Sequence, residues 1–335
     1  RRARTRCAHW EHHHYRPLWR LTVKLELLVD APEFWGRFQE DLLGAQRSAY
    51  VQTFSFEGDR VGTALGRTLE RCSAKDRRLL VDGYSLLYHS DRLIPGPAWM
   101  DRSFRCEVML THRWVRRLRD GGAGVRFSNA LGPSPVKLLR RNHKKIAVID
   151  ESVSYVGGIN FSDHNFEWHD MMFRIESEDL ARVLSEDFRA SWTGKAKSFD
   201  QSIDPLRILS LNGYGNADGL RPVVDAIDQA HTSIDVASAY LSYPFTEYLA
   251  RASARGVRVR VLTPGENNKA NLASHILESA RRSGFEVIFY SGRMTHLKAM
   301  MIDDELLVAG SSNFDFMSYH ILEELVVMTR DRGMI

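Results

Sequence analysis

Residues 143–160 read HKKIAVIDESVSYVGGIN, and residues 296–313 read HLKAMMIDDELLVAGSSN. Four chemically loaded positions recur at one spacing: His143 and His296, Lys145 and Lys298, Asp150 and Asp303, Asn160 and Asn313, each pair 153 positions apart. A small pair recurs as well, Gly157-Gly158 in the first copy and Gly310-Ser311 in the second. Two copies are too few for a solenoid, which needs at least three repeats to bury a continuous core. The spacing predicts two similar lobes that face each other.

The flanks repeat more loosely. Short β-rich runs, YVQTFSF at 50–56 and IDVASAYL at 234–241, each follow a predicted helix. The first of these helices opens at Pro32, a favourable first-turn position, and runs through 34–46; the second covers 220–230. Further helices (63–73 and 246–255) and strands (78–82 and 257–262) come next, and segments 121–127 and 284–290 lead into each signature. Strands alternating with helices predict an α/β fold with helices on both faces of each sheet. An insertion at 84–105 lengthens the first lobe. The expected organisation is an N-terminal segment 1–19, a first lobe 20–195, a linker 196–205 and a second lobe 206–335.

Composition sets limits on function. At 335 residues the chain exceeds the ~100–200 of one domain. The longest stretches free of Asp, Glu, Lys and Arg are 11 residues (152–162 and 236–246), against the ~20 apolar residues of a spanning helix. No apolar core follows the basic start, so no secretory signal is expected. A net charge of +4 and a pI near 8.9 are mildly basic, below the footprint of a dedicated DNA binder, and they suit an anionic lipid surface. The three cysteines, Cys7, Cys72 and Cys106, form no disulfide pattern and fit a reducing compartment. The cluster Cys7, His9, His12, His13, His14 is read as adventitious rather than as a metal site.

The apolar, β-branched run between Lys145 and Asp150 predicts a buried strand. Alternate residues of a strand share a face, which sets His143 beside Lys145 and His296 beside Lys298. Two imidazoles, two ammoniums and the amides of Asn160 and Asn313 suit a tetrahedral oxyanion, namely phosphate. Lysine holds it as a point charge, and histidine either attacks phosphorus or moves a proton. Gly157, Gly158, Gly310 and Ser311 are expected to let the backbone approach the bound group. Asp150 and Asp303, at the far ends of their strands, are read as structural turn caps. No metal or other cofactor is required.

The two motifs resemble the phospholipase D superfamily, whose signature is HxK(x)4D followed by G-G/S-x-N. The resemblance runs from about residue 20 onward. Within the superfamily GGINFSDHN, GSSNFDFMS and the opening LLVD…PEFW…VQTFSF look most like short bacterial cardiolipin synthases without transmembrane helices. The resemblance implies two pseudo-symmetric α/β lobes with one active site at their interface and a phosphatidyl-histidine intermediate. It also implies transfer of the phosphatidyl group from an anionic phospholipid such as phosphatidylglycerol to an alcohol acceptor. A phospholipase D with water as acceptor, a nucleic-acid phosphodiesterase and a non-catalytic anion binder are the alternatives, and nucleic acid is disfavoured by the near balance of charge. One chain suffices for one site. The implied location is cytoplasmic, peripheral to the inner face of the cell membrane.

One departure from the family pattern falls after the second motif. The family continues S-x-x-x-N-x-E, whereas here Leu322 replaces the Asn and Glu324 keeps the acid. Asp170 and Glu324 are therefore expected to orient His143 and His296 respectively, with Glu323, at the 153-residue offset from Asp170, as the rival. The nucleophile is assigned to His143. Its basic flank (Arg140, Arg141, Lys144) is expected to keep that imidazole neutral, while Asp303, Asp304 and Glu305 suit a protonated His296. The basic run 137–142 attracts anionic lipid or is a solvated face. The apolar insertion either meets lipid or packs on the core, and His164 and His169 are read as core or rim residues.

Overall fold

The computed structural model describes residues 23–129 and 139–335. The first lobe contains β1 (Lys24–Val29), β2 (Ser48–Thr53), β3 (Asp76–Asp82), a small hairpin of β4 (Tyr88–His89) and β5 (Arg92–Leu93), then β6 (Gly124–Ser128), β7 (Ile146–Ile149), β8 (Val153–Gly157) and β9 (Met171–Glu176). The second contains β10 (Phe199–Ile203), β11 (Leu206–Asn212), β12 (Ser233–Ser238), β13 (Arg258–Pro264), β14 (Glu286–Tyr290), β15 (Lys298–Ile302), β16 (Leu306–Gly310) and β17 (Glu323–Thr329). The sheet orders are β1-β9-β8-β7-β2-β3-β6 and β10-β11-β17-β16-β15-β12-β13-β14. Apart from the extra edge strand β10 they correspond strand for strand, with the same parallel and antiparallel pairings. The duplication read in the signature therefore extends to the whole sheet.

Two expectations need correction. Segment 196–205 is not a plain linker, because β10 lies within it and pairs antiparallel with β11. Nor do helices alone cover the second face of each sheet. Along β2, β3 and β7, Ala49, Val51, Leu79, Val81, Ala147 and Ile149 face the helices Asp30–Gly44, Arg60–Arg71 and Arg102–Asp120. The alternating residues Tyr50, Leu80, Ile146 and Val148 join Ile208, Leu307, Leu325 and Val327 of the second sheet in one shared core. Helix Glu178–Trp192 is the main helix in that layer, through Leu180, Leu184 and Phe188. Strands with no polar face must be buried on both sides, and here helix Glu178–Trp192 and the other lobe together supply the second cover of the first sheet.

Side chains mark where elements begin and turn. Asp59, Asp101 and Ser177 cap their helices by accepting the N–H groups of Gly62, Ser103 and Leu180. The Asp59 cap starts its helix at Arg60, three residues before the predicted position 63. Asp150 accepts the N–H groups of Gln46, Arg47 and Ser48, and Asp303 those of His231, Thr232 and Ser233. Both aspartates have φ near +50° in the tight connection after their strands. They are turn staples, as the sequence reading expected, and stand away from the histidines.

Candidate active site

The two signature segments reach across the lobe boundary. The His143 N–H donates to Glu323 O at 2.9 Å while the Glu323 N–H donates to Arg141 O at 2.9 Å. In the other half, the His296 N–H donates to His169 O at 2.7 Å and the His169 N–H to Met294 O at 2.8 Å. Each histidine is thereby held next to the acid that follows in the other lobe. His143 Nδ1 lies 2.9 Å from Glu324 Oε1, and His296 Nδ1 lies 2.7 Å from Asp170 Oδ2. Both expected carboxylates do serve imidazoles, but the expected pairing is reversed: Asp170 serves His296 and Glu324 serves His143.

The rival Glu323 is on neither ring. Its carboxylate accepts from Asn129 Nδ2 at 3.0 Å. The reason is a one-residue difference in the loops. The Gly158 N–H donates to Met171 O and the Ser311 N–H to Leu325 O, so Met171 matches Leu325 and Asp170 matches Glu324. The 153-residue offset holds within the signature and slips by one just after it.

The small residues pack against the acid-bearing strands. A Cβ on Gly158 would stand 2.2 Å from Asp170 Oδ1, one on Gly157 would stand 2.3 Å from Met171 O, and one on Gly310, where φ is +152°, 2.2 Å from Leu325 O. Ser311 donates its hydroxyl to Glu324 Oε2 at 2.5 Å, and Ser318 donates to Oε1 at 2.9 Å. Gly157, Gly158 and Gly310 make room for the acid-bearing strands, and Ser311 holds the Glu324 carboxylate.

Burial and charge set the protonation states. Burial, opposed by the Glu324 carboxylate, lowers His143 to about 4. Burial and the Lys298 ammonium lower His296 to about 3. Burial pushes the Asp170 carboxyl up, yet Lys298 and His296 hold it below the ordinary range; His143 and Lys145 do the same for Glu324. Burial also brings Lys145 and Lys298 down, Lys145 well below a normal lysine. Both imidazoles are thus neutral at pH 7. With Nδ1–H committed to a carboxylate, each keeps a basic Nε2.

The flank argument for telling the two histidines apart does not survive. Lys144 turns away into the shared core, where its Nζ donates to Asp187 Oδ1 and Oδ2 and to Ser210 Oγ at 2.7–2.9 Å. Arg141 pairs with Asp82 at 3.2 Å, and Arg140 donates to Asn212 O and lies over Tyr214. Asp303, Asp304 and Glu305 sit in the turn at the far end of β15. A different asymmetry replaces it. Both lysines donate to the carbonyl of their own histidine, but Lys298 Nζ also lies 2.9 Å from His296 Nδ1 and 3.2 Å from its Nε2. Among the described residues no group hydrogen-bonds His143 Nε2.

Both histidines, Asn160 and Asn313 line one cavity of about 320 Å³. The insertion contributes Tyr84 and Tyr88 to its wall, whereas Leu93, Trp99 and Met100 of the same segment are exposed. The two readings of the insertion therefore each hold for part of it. His164 lines the cavity, and His169 is bonded to Asp30 at 2.7 Å and stacked on Tyr290. Sequence reasoning missed Glu57, Trp168, Tyr240, Lys269 and Asp315, which also line it. Trp168, adjacent to the His169-Asp170 pair, carried the only local signal. The Cys7–His14 cluster, and residues 137 and 138 of the basic run, lie outside the described residues.

The chain is similar to known proteins. Residues 39–192 and 223–335 match the family described as "Cardiolipin synthase, PLD-like domain". The chain is 26% identical over 336 residues to cardiolipin synthase A of Pseudomonas syringae, covering 92% of this chain but 65% of that one, less than two thirds of its length. It is 24% identical over 346 residues to cardiolipin synthase B of Shigella flexneri, covering 94% and 78%. Among solved structures, phosphatidylserine synthase of Haemophilus influenzae superimposes with a TM-score of 0.68 at 16% identity, over 92% of this chain and 82% of that one. Polyphosphate kinase of Porphyromonas gingivalis gives 0.61 at 13% identity, over 93% and 48%. At such identities these two likenesses establish the two-lobe fold.

Proposed function

The chain belongs to the cardiolipin synthase, phospholipase D-like domain family, and from that premise we propose that it is a phosphatidyltransferase working through a phosphohistidine. The observation that carries this reading is the pair of histidine–carboxylate contacts exchanged between the lobes at one cavity. In the first step His143 Nε2 attacks phosphorus of an anionic phospholipid such as phosphatidylglycerol, and His296 gives a proton to the departing alcohol. The unhindered Nε2 of His143 supports that division of labour. His296 is neutral in the free site, and a bound anionic diester favours its imidazolium. In the second step His296 takes the proton of an acceptor alcohol, whose oxygen attacks phosphorus and restores His143. Asp170 and Glu324 hold the tautomers and stabilise the charged rings. Lys145 and Lys298 supply positive charge beside the phosphoryl oxygens, with the amides of Asn160 and Asn313 nearby. No step is assigned to a metal.

The near balance of charge, +4 over the whole chain, argues against nucleic acid as the substrate. Peripheral contact with an anionic membrane is supported by exposed Leu93, Trp99 and Met100 near a helix whose outward stripe is Arg102, Cys106, Met109, Arg113 and Arg116. No helix among the described residues is long and apolar enough to cross a membrane. The deciding experiment incubates the purified protein with phosphatidylglycerol vesicles in excess chelator. Cardiolipin plus glycerol is the expected product. Phosphatidic acid plus glycerol identifies a hydrolase, and no turnover overturns the reading.

A further inference from the structure

The transfer chemistry leaves one polar wall of the cavity unused. Glu57 is 3% exposed, and the backbone N–H and hydroxyl of Ser90 donate to its Oε2 at 3.0 and 3.3 Å. Its Oε1 has no hydrogen bond among the described residues, although the side chain lines the cavity. His164 Nδ1 stands 3.9 Å from Glu57 Oε2 and 3.3 Å from Ser162 Oγ, and its Nε2 meets Asn165 Nδ2 at 2.7 Å. The His164 ring meets Trp168 edge-on at 5.2 Å, and Trp168 lies 5.0 Å from the His296 ring. A path of polar and aromatic groups thus leads from Glu57 to the histidine that handles the alcohol's proton.

The chemistry of this wall selects its ligand. Burial, with Glu107 and Asp59 behind it, raises the Glu57 carboxyl to about 8, so it is uncharged at neutral pH. A buried neutral carboxyl both donates and accepts, which matches a hydroxyl and not an ammonium. The acids behind it repel phosphate, so the lipid diester is kept to the side of the lysines. Trp168 offers an apolar face to the C–H groups of a small polyol. Resting on the transferase reading above, we propose that Glu57 and His164 form a subsite for the hydroxyls of a polyol headgroup, glycerol being the simplest, as it leaves or joins phosphorus beside His296.

The test is exchange of labelled glycerol into dioctanoyl phosphatidylglycerol, followed as a function of glycerol concentration. Attack of glycerol on the phosphohistidine re-forms the lipid, so label enters without net reaction. Glu57→Ala is expected to raise the half-saturating glycerol concentration about tenfold, the loss of roughly one good hydrogen bond, with the maximal rate within about threefold. Glu57→Gln, which still donates and accepts, is expected to stay within about twofold, and His164→Ala to rise about threefold, a weaker contact than a full hydrogen bond. Unchanged half-saturation in Glu57→Ala and His164→Ala, with wild-type exchange intact, overturns the subsite and leaves the transferase standing. Absence of both exchange and phosphatidic acid in the wild type overturns the transferase reading and the subsite with it. Thermal melting checks the variants, and should Glu57→Ala not fold, His164→Ala decides on the same criterion.

Discussion

The two half-sites are built on one plan and differ in how much room stands beside each acid. In the first lobe Gly158 leaves space for the short Asp170 against its own backbone; in the second, Ser311 fills that space and donates to the longer Glu324. Lys144, between the first signature's histidine and lysine, anchors a buried contact with Asp187 and Ser210, whereas its counterpart Leu297 is apolar. After β2 stands Glu57, and at the matching bridge after β12 stands Ser242. The shared parts bring two imidazoles and two asparagines to one cavity, and the differing parts vary the surroundings of each half. A duplicated site thus keeps its chemistry symmetric while its walls diverge.

The sharpest way to break this comparison is to ask whether the halves work as one unit. His143→Ala and His296→Ala are each expected to lower turnover of phosphatidylglycerol by about 10⁴-fold or more, and the double variant should be little worse. Near-normal activity in either single variant would show two independent sites. The acids come next. Glu324→Gln and Asp170→Asn are expected to cost about 10²-fold or more in kcat. In histidine-resolved NMR titrations Glu324→Gln should perturb His143 and Asp170→Asn should perturb His296. The opposite pattern would contradict the exchange between lobes.

Lys144 sharpens the comparison through stability. Lys144→Met leaves Asp187 buried without its cation and is expected to cost about 3–5 kcal/mol in denaturant unfolding, whereas Leu297→Met should cost less than about 1.5 kcal/mol. Equal costs would deny the anchor.

The smallest effect is the pH dependence of Glu57. Its carboxyl is raised to about 8 in the fold from an ordinary 4.5, so the unfolded chain loses the proton first as pH rises. The folded state then keeps a proton that the unfolded state has released, and stability declines between about pH 4.5 and 8. Glu57→Gln removes that penalty. Its gain in Tm over the wild type should grow from pH 5 to pH 8, reaching about 3 °C. A gain that does not change with pH would mean that Glu57 is ionised in the fold.

Much of this molecule was legible in one dimension because its signals are local. The repeated His, Lys, Asp and Asn marked two lobes, and strand-end Asp150 and Asp303 could be set apart from the chemistry by position alone. The apolar run at 146–149 identified a buried strand. What covered that strand's second face could not be read, because a continuous apolar run is the same whether a helix or another sheet packs on it.

Only the tertiary structure decided the partners. Glu324 is 181 positions from His143 and Asp170 is 126 from His296, so no periodicity joins them. The exchange between lobes arises from backbone bonds made by His143 and His296 to the other lobe, and the one-residue slip that selects Glu324 over Glu323 lies in a loop. The basic flank misled for the same reason. Charge adjacent in sequence acts on a ring only if its side chain faces that ring, and Lys144 points into the core while His143 faces the cavity. Residue types and spacing determined which groups this protein uses, and packing of the two sheets determined which of them meet, because that depends on directions in space that a linear pattern does not carry.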